Sequence, residues 1–358
     1  TQGAYYLCSV ADSVFLNPQG SVSLVGLASQ GLFFTGLAEK IGVEHYIFKV
    51  GTYKSAVEPF FLKKFSDANR EQLTSFLGSV WGNLTTAIEK SRNISSDELD
   101  RYLNEGLAMG QASNAVDYKL ADGLRYRYEV ENCVKEMAGQ DVKGKLKTAG
   151  VDKIVSIKVK EKENKNKIAV LYAEGEIRDE DSSSPFSADE QVISEEMANK
   201  LRKLKDDDDV KAVVFRVNSP GGSAYISEQI WKEVVELKAK KPIVVSMGNY
   251  AASGGYYISC AANKIVAERT TLTGSIGVFG VVRNFTGTFD KVGVTTDIVK
   301  TNTFADLGDI SRPMREDEKA LIQRGVEQTY DLFLTRCADG RGMTKAEIDS
   351  IGQGRVWT

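Results

Sequence analysis

Three short stretches hold residue types that could do chemistry. In NYAASGGYYISC, residues 249–260, a stretch that follows PIVVSMG, an apolar run that reads as a buried strand, Ser253 stands between two alanines and two glycines. In NSPGGS, Gly221 and Gly222 follow another such run, KAVVFRV. In FKVGTYKSAVEPFF, Lys54 sits among small and apolar residues, unlike the many lysines of runs such as EKENKNK. A hydroxyl with no bulk around it, where a strand passes into a helix, answers one of two needs: the turn requires small residues, or something must approach Ser253 closely. Pro220 and the two glycines after it force a tight turn whose amides can point outward. The amide of Gly254 lies at the start of a helix, where unpaired N–H groups and the dipole favour negative charge. Amides from Gly221 or Gly222 and from Gly254 around one spot would make an oxyanion hole. Either glycine pair alone reads as turn punctuation; both together, one strand apart and with a serine at the second, favour catalysis.

A serine nucleophile needs a base, because its own hydroxyl is hardly ionised near neutral pH. The chain has one histidine, His45, inside the apolar strand pattern VEHYIFKV, and none after Ser253. A Ser-His-Asp triad is therefore disfavoured. Lysine can serve instead if burial lowers its pKa toward neutrality, and lysines are almost never fully buried without a reason. Lys54 is the candidate, set against the plain alternative of a surface lysine in a loop.

The elements that must position these groups read as α/β. Short β-branched runs, KIAVLYAEG, KAVVFRV, KPIVVSM, NKIVAE and TTDIVK, alternate with helical patterns such as SAYISEQIWKEVVELKAK, where Ile226, Ile230, Val234 and Leu237 share one face. Strands apolar on both faces and separated by helices predict βαβ units and a parallel, buried sheet. The chain also repeats itself. GAYYLCSVADSVFL resembles GGYYISCAANKIVA at an offset of 251, which pairs Gly26 with Gly277, Lys40 with Lys291, Gly42 with Gly293 and Lys49 with Lys300. At that offset Ser253 falls on Gln2 and Lys54 on Ala305, so each copy holds one half of a Ser-Lys pair and lacks the other. The expected organisation is a first repeat over residues 1–124, a charged connecting segment over 125–167 and a second repeat over 168–358. The copies match unevenly at their outer ends, which predicts that the first is trimmed at its front and the second at its rear, and that a targeting or membrane segment was lost with the front.

Composition removes other classes. A net charge of −3 over 358 residues gives no electrostatic reason to expect a nucleic-acid partner, and no stretch reaches the roughly 18 apolar residues of a membrane span. Cys8, Cys133, Cys260 and Cys337 lie far apart, without CxxC or Cys/His spacing, and read as buried thiols rather than as zinc ligands or a disulfide framework. The acidic run from Asp206 to Asp209 reads as a solvated helix-to-strand turn, since four adjacent carboxylates cannot all face one ion. Neither a metal nor a cofactor is expected.

VNSPGG followed by MGNYAASGGYYIS and TLTGSIGV, with GTYKSAVEPF far upstream, resembles the signal peptide peptidase A family, also called protease IV, in its long two-copy form. The resemblance covers essentially all of the chain outside the connecting segment. It implies a tandem of Clp protease/crotonase-like units, Ser253 as nucleophile, Lys54 as general base and Ser275, the serine of TLTGSIG, as the hydroxyl that hydrogen-bonds the lysine. It further implies a bacterial cytoplasmic-membrane protein with its catalytic part on the outer, periplasmic side, assembled as a homotetramer and degrading remnant signal peptides, which are extended and apolar. Two rivals stand beside it: an acyl-CoA enzyme on the same fold, whose paired amides polarise a thioester, and a non-catalytic oligomeric scaffold. Neither accounts for the complementary loss of serine and lysine between the copies.

Overall fold

The structure, a computed structural model, describes residues 1–157, 165–178 and 191–358. It divides into two compact units: Thr1–Ala28 with Leu77–Glu163, and Ser29–Phe76 with Asn164–Thr358. Packing thus groups residues 29–76 of the first repeat with the second repeat. Of the charged segment 125–167, residues 158–164 lie outside the described residues; the rest holds helices α6, Arg127–Met137, and α7, Val151–Val155.

The larger unit is built on a mainly parallel sheet. Strands β4 (Lys167–Glu174), β7 (Val210–Ser219), β8 (Ile243–Ala252) and β10 (Leu272–Gly274) run parallel in the order β10-β8-β7-β4, with β9 (Lys264–Val266) beside the first half of β8. Strand β12, Val356–Trp357, closes the β10 edge antiparallel. On β7 and β8 the side chains of Val213, Phe215, Val217, Ile243, Val245 and Met247 face the core. Helix α9, Ala224–Lys240, covers them with Ile226, Ile230, Val234 and Leu237, all fully buried, as their shared face in the sequence predicts. Each such side chain contributes roughly 1.5–3 kcal/mol by leaving water. Helix α8, Glu196–Asp206, adds Met197 and Leu201, and its end meets β7 through the acidic turn, where Asp206 pairs with Lys240 and Asp209 with Lys167. The expected burial on both faces fails at β4. It is an edge strand, and its outward row of Ile168, Val170 and Tyr172 is exposed. Short pairs complete this sheet region: β5, Glu176–Ile177, lies parallel to β6, Val192–Ile193.

A second feature of this unit is an antiparallel ribbon of β2, Glu44–Val50, and β11, Val278–Asn284, in register from Glu44 opposite Asn284 to Val50 opposite Val278. Each strand is followed or preceded by a short helix, α2 (Thr35–Ile41) before β2 and α11 (Thr286–Val292) after β11. These helices begin and end 251 positions apart, and both end on a left-handed glycine, Gly42 (φ 78°) and Gly293 (φ 74°). The repeat continues in the 26-residue helices α3 (Asp67–Arg92) and α12 (Glu316–Arg341). After them α4 (Ser96–Asn104) and α13 (Lys345–Ile351) open on matching capping boxes, Ser95 with Glu98 and Thr344 with Glu347. One expectation is overturned. TTDIVK, the counterpart of β2, forms no strand, and residues 291–300 are exposed throughout. A strand needs an edge to pair with, and among the described residues this segment has none.

In the smaller unit α1 (Gln2–Cys8), α4, α5 (Ala112–Asp117) and the parallel pair β1 (Phe15–Leu16) and β3 (Gly123–Leu124) surround a core of Tyr5, Leu24, Ile88, Leu99, Tyr102 and Leu120. The buried tyrosine hydroxyls are satisfied by backbone, Tyr5 donating to the Leu120 carbonyl at 2.7 Å and Tyr102 to that of Val22 at 3.0 Å. The expectation of buried thiols holds for Cys260 and Cys337; Cys8 is exposed and Cys133 half-buried, the latter on the amphipathic α6.

Candidate active site

All of the sequence-predicted site residues lie in the larger unit. Strand β8 ends at Ala252 and helix α10, Gly254–Tyr257, begins at Gly254, so Ser253 occupies the junction itself. Its backbone is held at φ 52°, ψ −121°, a region that non-glycine residues rarely adopt and that costs of order 1–3 kcal/mol. The conformation is fixed from both sides: the Ser253 amide donates to the Gly274 carbonyl at 2.9 Å, and its carbonyl accepts from Tyr257 at 2.9 Å.

Lys54 reaches this serine from the loop after β2. The side chain is 5% exposed, and its Nζ donates to Ser253 Oγ at 3.1 Å, to Ser275 Oγ at 3.0 Å and to the Ser275 carbonyl at 3.2 Å. Among the described residues no carboxylate lies within ion-pair distance of Nζ; the Phe279 ring, 5.8 Å away, is the aromatic surface over it. Burial without a counter-charge disfavours the ammonium and lowers the pKa to about 8. Ser275, at φ 50°, is itself pinned by its amide, which donates to the Arg355 carbonyl at 2.7 Å.

Gly221 approaches the serine so closely that a Cβ there would lie 2.7 Å from the Gly254 nitrogen and 2.8 Å from Ser253 Cβ. Its own amide donates to Ser219 Oγ at 3.2 Å. Gly222 forms a parallel bridge with Ile177, in which Ile177 donates to the Gly221 carbonyl and accepts from Ser223. That pattern leaves the Gly222 N–H facing away from Ile177. Gly254, first residue of α10, has no intrahelical acceptor for its amide. Of the three expected oxyanion donors, the Gly221 amide already has a partner in Ser219 Oγ.

The sequence reading missed the groups that hold the lysine loop. Gln72 on α3 donates from Nε2 to the Tyr53 carbonyl at 3.1 Å and to Ser55 Oγ at 2.7 Å, on either side of Lys54, and its Oε1 accepts from the Val356 amide at 3.1 Å. Nε2 also donates to Asn69 Oδ1, and Asn69 Nδ2 donates to the buried carboxylate of Glu58 at 2.8 Å. Glu58 lies within the quoted segment GTYKSAVEPF, the one available signal; Asn69 and Gln72 carry none. His45 sits on β2, stacked on Phe60 with ring centroids 5.1 Å apart, and lines a different pocket. Burial, and then the Arg283 charge, lower its pKa. Ser253 and Lys54 open onto a cavity of about 850 Å³ with an apolar wall that includes Ile177, Tyr257, Val278, Phe279 and Phe333. Among the described residues there is no group of His, Cys, Asp and Glu side chains that could hold a metal ion.

The sequence matches Peptidase family S49 over residues 1–141 and 235–358. The chain belongs to that family. Residues 183–276 also match the Clp protease family, consistent with the tandem α/β organisation. The chain is 38% identical over 367 residues to Protease 4 of Haemophilus influenzae, covering 100% of this chain and 59% of the relative. It is 38% identical to Protease 4 of Salmonella typhi, covering 100% and 58%. It is 32% identical to the chloroplastic serine protease SPPA of Arabidopsis thaliana, covering 99% and 52%. It therefore spans little more than half the length of these S49 relatives. No helix among the described residues is long and apolar enough to cross a membrane.

Proposed function

We propose that this chain is the catalytic portion of a serine peptidase that cleaves peptide bonds with a Ser253–Lys54 dyad. The observation that carries the reading is a buried amine with no carboxylate in ion-pair distance among the described residues, 3.1 Å from a hydroxyl in strained backbone. Neutral Lys54 takes the proton of Ser253 as Oγ attacks the carbonyl carbon. The amides of Gly222 and Gly254 stabilise the oxyanion, and losing one donor costs on the order of 100-fold or more in rate. The Lys54 ammonium then protonates the leaving amine, and water attacks the acyl-enzyme by the same proton route. Ser275 aims the lysine, its hydroxyl and carbonyl fixing Nζ. The apolar wall of the cavity suits extended, apolar peptides, and remnant signal peptides are the substrates proposed. A homotetramer at the outer, periplasmic side of a bacterial cytoplasmic membrane is proposed with it, by resemblance to the family.

The test is labelling with a serine-directed covalent inhibitor, together with hydrolysis of an apolar peptide ester by the wild type, Ser253→Ala and Lys54→Ala. The expected result is modification of Ser253 alone and loss of at least 1,000-fold in kcat/KM for either variant, consistent with the scale of dyad effects. Near-normal hydrolysis by Lys54→Ala would remove the dyad. An unlabelled Ser253 would favour thioester chemistry or a scaffold on the same fold.

A further inference from the structure

We propose that Arg355, with Glu71 as its partner, is a positioning residue of the reaction: its guanidinium and its backbone carbonyl together set Lys54 against Ser275, and so aim the amine at Ser253. The inference rests on the dyad reading above and concerns side chains that do not touch the reacting atoms. Lys54 and Ser275 are 221 positions apart in the chain, and residues 353–357 run between them. On one side the Gln353 carbonyl accepts from the Tyr53 amide at 2.8 Å. The backbone of Gly354 lies so close to the lysine that a Cβ there would stand 2.6 Å from the Lys54 nitrogen. On the other side the Gly354 amide donates to the Ile276 carbonyl, and the Arg355 carbonyl accepts from the Ser275 amide, each at 2.7 Å. The crossing holds Gln353 at φ 52°, a left-handed conformation uncommon for a residue with a Cβ.

The Arg355 side chain ties this crossing to α3. Its Nη1 donates to Glu71 Oε1 at 2.8 Å, and the other oxygen of that carboxylate accepts from the Tyr53 hydroxyl at 3.0 Å. The guanidinium lies against two rings, 4.7 Å from the centroid of Tyr53 and 4.4 Å from that of Trp357. Tyr53 directly precedes Lys54, so the contacts close on themselves. Lys54 reaches Ser275 through Nζ, Ser275 reaches Arg355 through backbone, Arg355 reaches Glu71 through the ion pair, and Glu71 returns to Lys54 through Tyr53. Gln72, the next residue of α3, accepts from the Val356 amide, so the helix grips the crossing at two adjacent points.

Two observations separate aim from stability. The Arg355 and Glu71 side chains are 20% and 54% exposed, and ion pairs this open to water add little to stability. The Arg355 Nε is buried with no hydrogen-bond partner among the described residues, which costs stability. What the pair does supply is orientation: a planar guanidinium laid against two rings and held by a carboxylate has one pose, where a flexible ammonium has many.

The experiment measures hydrolysis of an apolar peptide ester by the wild type, Arg355→Met, Arg355→Lys, Glu71→Gln and the Arg355→Met, Glu71→Gln double variant. Ser253→Ala and Lys54→Ala are run as references, with urea midpoints for all. Arg355→Met keeps the backbone carbonyl and much of the side-chain volume; Glu71→Gln, at an exposed carboxylate, tests the same contact if Arg355→Met does not fold. The expected result for Arg355→Met is a fall of about 10- to 100-fold in kcat with KM unchanged, and an ascending pH limb moved to higher pH as water reaches the amine. Glu71→Gln should lose less, the double variant no more than Arg355→Met, because both act through one contact, and Arg355→Lys should not restore the rate. Urea midpoints should stay near that of the wild type. Wild-type kcat in Arg355→Met, a loss that follows the urea midpoint with the pH limb in place, losses that multiply in the double variant, or full activity in Arg355→Lys would each overturn the proposal. Near-normal hydrolysis by Lys54→Ala would remove the dyad and this proposal with it, whereas an inactive Lys54→Ala beside a normal Arg355→Met would remove this proposal alone.

Discussion

At the scale of the residue, the site turns on the protonation of one amine. Lys54 has its pKa lowered to about 8 by burial, so on the proposed mechanism kcat/KM rises about tenfold per pH unit below that value and levels off above it. A pH–rate profile on a peptide ester checks this. The same shift has a stability consequence with a definite sign. Because the folded-state pKa lies below the unfolded one, the unfolded chain binds more protons between the two values, and stability rises with pH across that window, from about 8 to the ordinary lysine value. Below the window the buried charge costs on the order of 3 kcal/mol, at about 1.4 kcal/mol per pKa unit. Lys54→Met, close in volume and uncharged, is therefore expected to be inactive yet more stable than the wild type at neutral pH, with the difference shrinking toward pH 10. Urea midpoints at the two pH values measure it. Such a gain is the usual mark of a residue kept for function at the expense of stability.

At the scale of the element, the lysine is only as well aimed as the loop that carries it. Gln72 reaches from α3 to bond the Tyr53 carbonyl and the Ser55 hydroxyl, and the buried Glu58 and Asn69 hold Gln72 in turn. Gln72→Ala leaves these groups without their donor and lets Nζ drift from Ser253. The expected outcome is a fall of about 10- to 100-fold in kcat with little change in KM, since misplacement near 1 Å is worth that much. The ascending limb of the pH profile should also move to higher pH as water reaches the amine. A merely structural role for Gln72 would lower the midpoint of unfolding and leave that limb in place. Ser253 was legible from the sequence because a strand end, small neighbours and two glycines mark it locally. Gln72 was not, because its partners lie 17 and 19 residues away and a glutamine in a helix has no distinctive spacing. Ser275 came through the family segment TLTGSIG, and its fixed carbonyl, which also receives the lysine, through the fold alone.

At the scale of the whole chain, the proposed dyad depends on a ribbon made of one strand from each repeat, β2 and β11. Gly42 is where α2 and α11 meet, and Gly42→Val both forces a side chain into left-handed backbone and drives a Cβ into the Gly287 backbone. It should weaken the β2–β11 ribbon and abolish peptide hydrolysis while α9 and the parallel sheet persist; loss of activity with near-native far-ultraviolet circular dichroism is the readout. The sequence by itself determined the α/β class, the repeat, the helical face of Ile226, Ile230, Val234 and Leu237, and the candidacy of Ser253 and Lys54. These rest on local spacing or on a fixed offset, and a chain displays both without being folded. Only the tertiary structure decided that TTDIVK stays unpaired, that the Gly221 amide is engaged by Ser219, and that Lys54 lies 3.1 Å from Ser253. Each of these depends on which backbone edge or polar group arrives from some distance along the chain, and a partner selected by packing leaves no mark in the spacing of the residues it joins.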